Sequence, residues 1–209
     1  AVQQAWEILR AAQPDVLLIG GDLLFGDERG LPSLLRELQS WKRNPPPGGM
    51  FAVLGNHDHL AGVDTIITAL EACGVRVLVN NARPLPAPWK GIYIVGSDDT
   101  LYGDAQPELA LASVPSDALA IMLAHSPDIC EYSILGRCAL TLCGHTHGGQ
   151  VSLPGVGPVL MRSSWGRRFP ADLHRDNGTH LWVSRGVGTV HFPLRLGAPP
   201  DVGVFDLHA

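Results

Sequence analysis

The sequence has no apolar run approaching the roughly 20 residues that a membrane-crossing helix needs, and no signal-peptide pattern at its start. It has no excess of positive charge. Lys and Arg number 15 against 20 Asp and Glu, a net charge of -5, so the electrostatic footprint of a nucleic-acid binder is missing. A small phosphorylated partner is not excluded, because bound metal ions can reverse the local field. Cysteine is scarce: Cys73, Cys130, Cys138 and Cys143 form no C-x-x-C pair, and each lies in or beside an apolar segment. They read as reduced core thiols in a reducing compartment rather than a disulfide framework. No internal repeat or low-complexity tract occurs; Pro45-Pro46-Pro47-Gly48-Gly49 is a rigid connector.

What is present is a chain of 209 residues, 45% hydrophobic, of a length that suits one domain (1–209) with a full core. The 24 glycines and 17 prolines point to many loops at the ends of short elements. Helices are expected over 1–13 (Val2, Ala5, Trp6, Leu9 and Ala12 at helical spacing, stopped by Pro14), 32–41, 63–73 (stopped by Gly74) and 128–135. Continuous apolar runs at 16–19, 50–54 and 118–124 have the composition of strands buried on both faces, and further strands are expected over 75–79, 92–95 and 139–143. After Gln150 come short glycine-punctuated strands at 150–153, 180–184 and 202–207, which read as antiparallel. Strands alternating with helices and then a run of strands indicate an α/β sandwich of two sheets.

Asp22, Asn56, His125 and His145 each follow the C-terminal end of an apolar strand, the rim where loops of an open α/β sheet converge on ligands. His145 belongs to Gly144-His145-Thr146-His147-Gly148-Gly149-Gln150. In extended backbone the two imidazoles of an H-x-H point to one side, and the flanking glycines permit positive φ and a tight fold around them. Two neutral imidazoles on one side are half of a divalent metal site. Singly, each residue has an ordinary reading: a helix cap for Asp22, a turn residue for Asn56, a hydrogen-bonded core group for His125. Together they form a constellation of metal-ligand type.

Gly20-Gly21-Asp22, Gly55-Asn56-His57-Asp58, the lone His125 before Ser126-Pro127-Asp128, and Gly144 to Gln150 occur in this order and with wide spacing. In this the chain resembles the calcineurin-like metallophosphoesterases. With Ser184-Arg185-Gly186-Val187-Gly188 and Pro199-Pro200-Asp201, it most resembles the bacterial branch that contains a cell-wall-associated phosphodiesterase and UDP-diacylglucosamine pyrophosphatases. The resemblance implies a metal-dependent hydrolase of a phosphodiester, phosphomonoester or pyrophosphate on a four-layer α-β-β-α sandwich. Asp22 would bridge two divalent metals, with Asn56, His125 and His145 completing one and His147 serving the other. His57 would act on the substrate as general acid or transition-state stabiliser, oriented by Asp58. Mixed nitrogen and oxygen ligation without thiolate suits manganese, iron or zinc. Arg185, in a glycine-bounded turn, is a candidate for holding substrate phosphate.

The family opens on a strand ending in D-x-H, whose Asp and His share the metal of His147. This sequence opens on the following helix, so one metal has a full ligand set and the other only Asp22 and His147. The sequence is then either truncated, its sandwich lacking the first strand and only marginally stable, or a one-metal variant. Of the two D-L-H triplets, Asp206-Leu207-His208 ends an apolar strand, and Asp172-Leu173-His174 lies in a charged loop within 162–178. Relatives of the branch often carry an N-terminal membrane or export segment, so the expected location is cytoplasmic or membrane-associated. Two readings compete with the hydrolase. One is a non-catalytic or weakly active one-metal remnant of the same fold. The other is a zinc hydrolase of metallo-β-lactamase type, whose H-x-H-x-D-H is not supplied by Asn56-His57-Asp58-His59. His59 reads as a surface turn residue.

Overall fold

A computed structural model describes residues 1–25, 27–159, 161 and 163–208. Its first unit carries three parallel strands. Helix α1 (Val2–Ala12) ends on Gln13, left-handed at φ 46°, ahead of Pro14. Strand β1 (Val16–Ile19) follows, then α2 (Leu31–Arg43), β2 (Gly49–Ala52), α3 (Asn56–Ala61), α4 (Val63–Ala72) and β3 (Val75–Val77), the sheet running β1-β2-β3. Gly74 closes α4 at φ +81°, the left-handed stop its position in the sequence implies. The chain then crosses to a second sheet. This contains β4 (Asn81–Pro84), β5 (Ile92–Gly96), β6 (Leu119–Leu123), β7 (Leu140–Cys143), β10 (Asp172–Asp176) and β11 (Thr179–Val183) in the order β10-β11-β7-β6-β5-β4. Helix α5 (Pro107–Ala112) lies between β5 and β6; the hairpin β8 (Ser152–Leu153) and β9 (Gly157–Pro158) and helix α6 (Ser164–Arg168) follow β7.

Alternation along each buried strand separates the four layers. In β2 and its continuation, Met50, Ala52 and Leu54 pack with Leu38, Trp41, Ile66 and Leu70 of the helices, while Phe51 and Val53 face the opposite way. There they meet Ile121 and Leu123 of β6 and Leu140 and Leu142 of β7, which form the seam between the sheets. The other faces of these strands, Ala120, Met122 and Cys143, pack under Ala110 and Leu111 of α5 and Ile129. A strand with apolar side chains on both faces serves two cores at once, which is why the runs read as continuous rather than alternating. The α-β-β-α sandwich is present as expected. All four cysteines are free and buried, and burial pushes the Cys130 and Cys138 thiols up to about 12.

Several local expectations are corrected. The helix expected over 128–135 is one short 3-10 turn, Pro127–Glu131, whose Asp128 carboxylate accepts from the Ser163 hydroxyl and the Trp165 N–H. No strand forms over 202–207. The edge of β11 is already taken by β10, which includes the Asp172-Leu173-His174 triplet assigned to a loop, and Val204, Phe205 and Leu207 are left exposed. Strand β11 runs parallel to β7 and antiparallel only to β10. The strand at 75–79 stops at Val77, and that at 150–153 is reduced to Ser152–Leu153 of the hairpin. Within the loop expected over 162–178, Arg162 lies outside the described residues. Among the described residues no helix is long and apolar enough to cross a membrane.

Candidate metal centre

The strand ends set the site. The Val53 N–H donates to the Ile19 carbonyl and the Gly144 N–H to that of His125, so the chain leaves β1 beside β2 and β7 beside β6. On this rim Asp22, His125 and His145 converge, their ligand atoms all within 4.8 Å of one another. His125 Nε2 lies 3.2 Å from Asp22 Oδ2 and 3.2 Å from His145 Nδ1. On its far side His125 Nδ1 is 2.8 Å from the Gly20 carbonyl, to which it donates. That bond puts a proton on Nδ1 and leaves Nε2 to face the other two groups. A carboxylate oxygen and two imidazole nitrogens so close repel unless a shared positive charge, a proton or a cation, sits among them.

Titration behaviour reports the same crowding. Burial works against ionisation of Asp22, but the bond and charge of His125 and the His57 N–H at 2.9 Å outweigh it and hold its carboxyl at about 2. For His125, burial is likewise outweighed by Asp22, so its imidazole is raised. Burial, then the charge of His125, push His145 down to about 4. Asn56 offers a neutral oxygen: it is buried, its chain neighbours Gly55 and His57 approach Asp22 through their backbone, and its Oδ1 has no hydrogen-bond partner. A carboxylate and two imidazoles make a mixed N/O set that fits a divalent cation, and a buried carbonyl oxygen without a partner is of a kind that could join it.

The backbone is strained at these residues. Asp22 (φ 51°), His145 (φ 64°) and His147 (φ 51°) are all left-handed without being glycine, a conformation that persists only where surrounding structure enforces it. Gly21 and Gly55 make the approach feasible. A Cβ on Gly21 would sit 2.6 Å from the Gly55 nitrogen and 2.9 Å from His125 Nδ1, and one on Gly55 would sit 2.8 Å from His125 Cε1.

His147, assigned to the other metal, stands outside the group of Asp22, His125 and His145 among the described residues, and its Nδ1 accepts from the Arg195 guanidinium at 3.1 Å. Burial and that guanidinium depress its imidazole to about 4. The H-x-H geometry assumed extended backbone. Thr146 is instead helical (φ -70°, ψ -23°) between two left-handed histidines, so the alternation of an extended strand does not apply. Gly144 is not left-handed; His145 takes that role itself.

Asp58 is also corrected. It is fully buried and reaches no ring nitrogen of His57: Oδ1 accepts from the Leu23 and Leu24 N–H groups at 2.9 and 3.1 Å, and Oδ2 from Gly55 N–H at 2.9 Å. Burial raises its carboxyl, the Gly55 N–H partly offsets this, and the charge of Asp22 adds to the rise. Asp58 thus clamps the loop after β1 to the start of α3. Asp58→Ala leaves three donors unmet, two of them buried, and is expected to cost on the order of 3 kcal/mol, a Tm lowered by roughly 10 °C in a thermal melt. His57 is instead covered by Phe25, ring centroids 4.5 Å apart, with Nδ1 buried and unpartnered.

Arg185, expected to hold phosphate, has its guanidinium on Asp172 and on Asp201, the latter at 3.1 Å. His59, expected in a surface turn, lies 2.9 Å from the largely buried Asp98. Sequence reading missed Arg195, which donates to the carbonyls of Arg185, Gly186, Gly188 and Ala198; a lone arginine in a loop gives no signal of this. It also left Gln150 without a role. The Gln150 amide holds Val190 and Phe192 by their backbones, fixing the loop that carries His191.

One parallel and one mixed sheet between helices, with one carboxylate and two imidazoles gathered at the strand ends, define an α-β-β-α sandwich with a group able to hold a metal ion. The chain belongs to the calcineurin-like phosphoesterase family, whose model matches residues 1–149. It is 30% identical to the uncharacterized metallophosphoesterase YkuE of Bacillus subtilis, over 95% of this chain and 70% of that protein. It is 33% identical to the phosphodiesterase YaeI of Escherichia coli, over 93% of this chain and 71% of that one. Among solved structures, a putative 5'-nucleotidase from Staphylococcus aureus in complex with alpha-ketoglutarate is 13% identical with a TM-score of 0.50, covering 98% of this chain. The chain spans half of the length of that protein, and the likeness concerns the fold alone. Membership of the family implies divalent metal ions.

Proposed function

We infer that the protein hydrolyses a phosphoric ester, using a divalent cation held by Asp22, Asn56, His125 and His145. The observation that carries this is the gathering of the ligand atoms of Asp22, His125 and His145 within 4.8 Å of one another. Manganese, iron or zinc suits this donor set. When bound, such a cation supplies Lewis-acid activation of water and neutralises phosphate charge. The residues themselves do the rest. Gly20 fixes the tautomer of His125 through its carbonyl, and the His57 N–H orients the Asp22 carboxylate. The His57 imidazole donates its proton to the departing oxygen, of an alcohol in an ester or of phosphate in a pyrophosphate, and Phe25 restricts that ring. Phosphodiester, phosphomonoester and pyrophosphate substrates all satisfy these groups.

The manganese-loaded protein is expected to turn over bis-p-nitrophenyl phosphate, with activity lost on chelation and restored by manganese. Absence of turnover with metal bound would overturn this reading. The contact of Arg195 with His147 Nδ1 favours a second one: a neutral ring accepting there carries its proton on Nε2 and offers no lone pair to another ion. In that case one cation binds per chain, and turnover is weak or missing.

A further inference from the structure

We propose that Phe25, with His191 at its edge, is an aromatic platform that selects phosphoesters whose departing alcohol carries a planar aromatic group. This rests on the reading of the site as a phosphoester hydrolase in which His57 serves the departing oxygen. The Phe25 ring lies tilted over His57, centroids 4.5 Å apart at 39°, and edge-on to His191 at 5.8 Å and 87°. It is 49% exposed, in a loop whose preceding residue, Leu24, is buried in the core at 4%.

That exposure is imposed by the fold. The Asp58 carboxylate accepts from the Leu23 and Leu24 N–H groups and from Gly55 N–H, so one buried side chain fixes both the loop bearing Phe25 and the helix start bearing His57. From the other direction, Gln150 pins the backbone of Val190 and Phe192 on either side of His191. Two separate anchors therefore bring a phenyl and an imidazole to one place beside His57. An unanchored exposed aromatic on a loop would be free to fold down onto apolar surface; this one is held up against a polar ring with part of its surface open.

The consequence follows from position. A group leaving with the oxygen that His57 protonates has to lie against whatever adjoins the His57 ring, and here that is Phe25. An aromatic leaving group gains offset or edge contacts with Phe25 and buries the remaining open surface of the ring, whereas a short alkyl group gains little. The cavity of about 260 Å³ beside His145 is lined by neither Phe25 nor His57 but by hydroxyls and carboxylates, among them Ser126, Asp128, Glu131 and Tyr132. The aromatic surface thus belongs to His57 and not to that cavity.

Binding of phenylphosphonate and methylphosphonate to the manganese-loaded protein, measured by calorimetry, tests this without turnover. The unaltered protein is expected to prefer phenylphosphonate by about tenfold. Phe25→Ala should bring the ratio near one, and Phe25→Trp should raise it. Phe25→Leu keeps apolar volume without a ring face and should fall between; it also serves if the alanine variant melts early. A ratio that survives Phe25→Ala, or failure of the unaltered protein to distinguish or bind the two phosphonates, overturns the platform. The hydrolase reading is scored separately: a Phe25-dependent preference with no turnover of bis-p-nitrophenyl phosphate upholds the platform and removes the enzyme.

Discussion

Replacing Asp22 with asparagine is expected to weaken manganese binding by at least about 100-fold and to remove turnover with it, since loss of even an outer partner of a metal ligand costs roughly 10–100-fold. Asparagine is the informative choice. Asp22 sits at φ 51°, a left-handed conformation that Asn accepts more readily than Ala, so the variant changes charge without forcing the backbone. Its carbonyl can still accept from the His57 N–H, which now bonds Asp22 Oδ1 at 2.9 Å. What it cannot do is balance positive charge shared with His125 and His145. Calorimetric titration with manganese measures the affinity, and a thermal melt of the metal-free protein shows whether the fold survives. Unchanged manganese affinity would remove Asp22 from the centre.

The second large effect belongs to His57. His57→Ala is expected to lower kcat by about 10²–10⁴-fold, the usual range for loss of a positioned proton donor, while manganese affinity changes by less than about threefold. The separation follows from geometry: the residue touches Asp22 only through its backbone N–H, which alanine keeps. Size of the loss should depend on the substrate. An ester that releases p-nitrophenol needs little help from an acid; one that releases an aliphatic alcohol needs much more. A loss of rate that grows as the leaving alcohol becomes less acidic marks a proton donor. An equal loss for all esters would assign His57 to binding instead.

The differing fortunes of neighbouring residues show what each level of description can reach. The meeting of Asp22, His125 and His145 was legible because each follows an apolar run, and a buried strand must deliver its next residues to the rim of its sheet. The turn of His147, two residues beyond His145, to Arg195 was not. Its placement depended on the backbone between them, where Thr146 turns helical and both histidines turn left-handed; no composition rule forecasts that run of dihedrals. Asp58 and Arg185 failed for another reason. A carboxylate or guanidinium near a reaction centre reads alike whether it faces substrate or neighbouring backbone. Only the fold brings the Leu23 and Leu24 N–H groups to Asp58 and the two aspartates to Arg185.

The amino-acid order alone determined the layered α/β architecture and the identity of the groups at the strand ends, because burial of apolar runs on two faces is a local property of the chain. The tertiary structure decided which of those groups meet. Three of them share one centre, His147 turns to Arg195, and Phe25 stands over His57. Those contacts join residues tens of positions apart through hydrogen bonds and close glycine backbones, and such partners are chosen by the path of the folded chain.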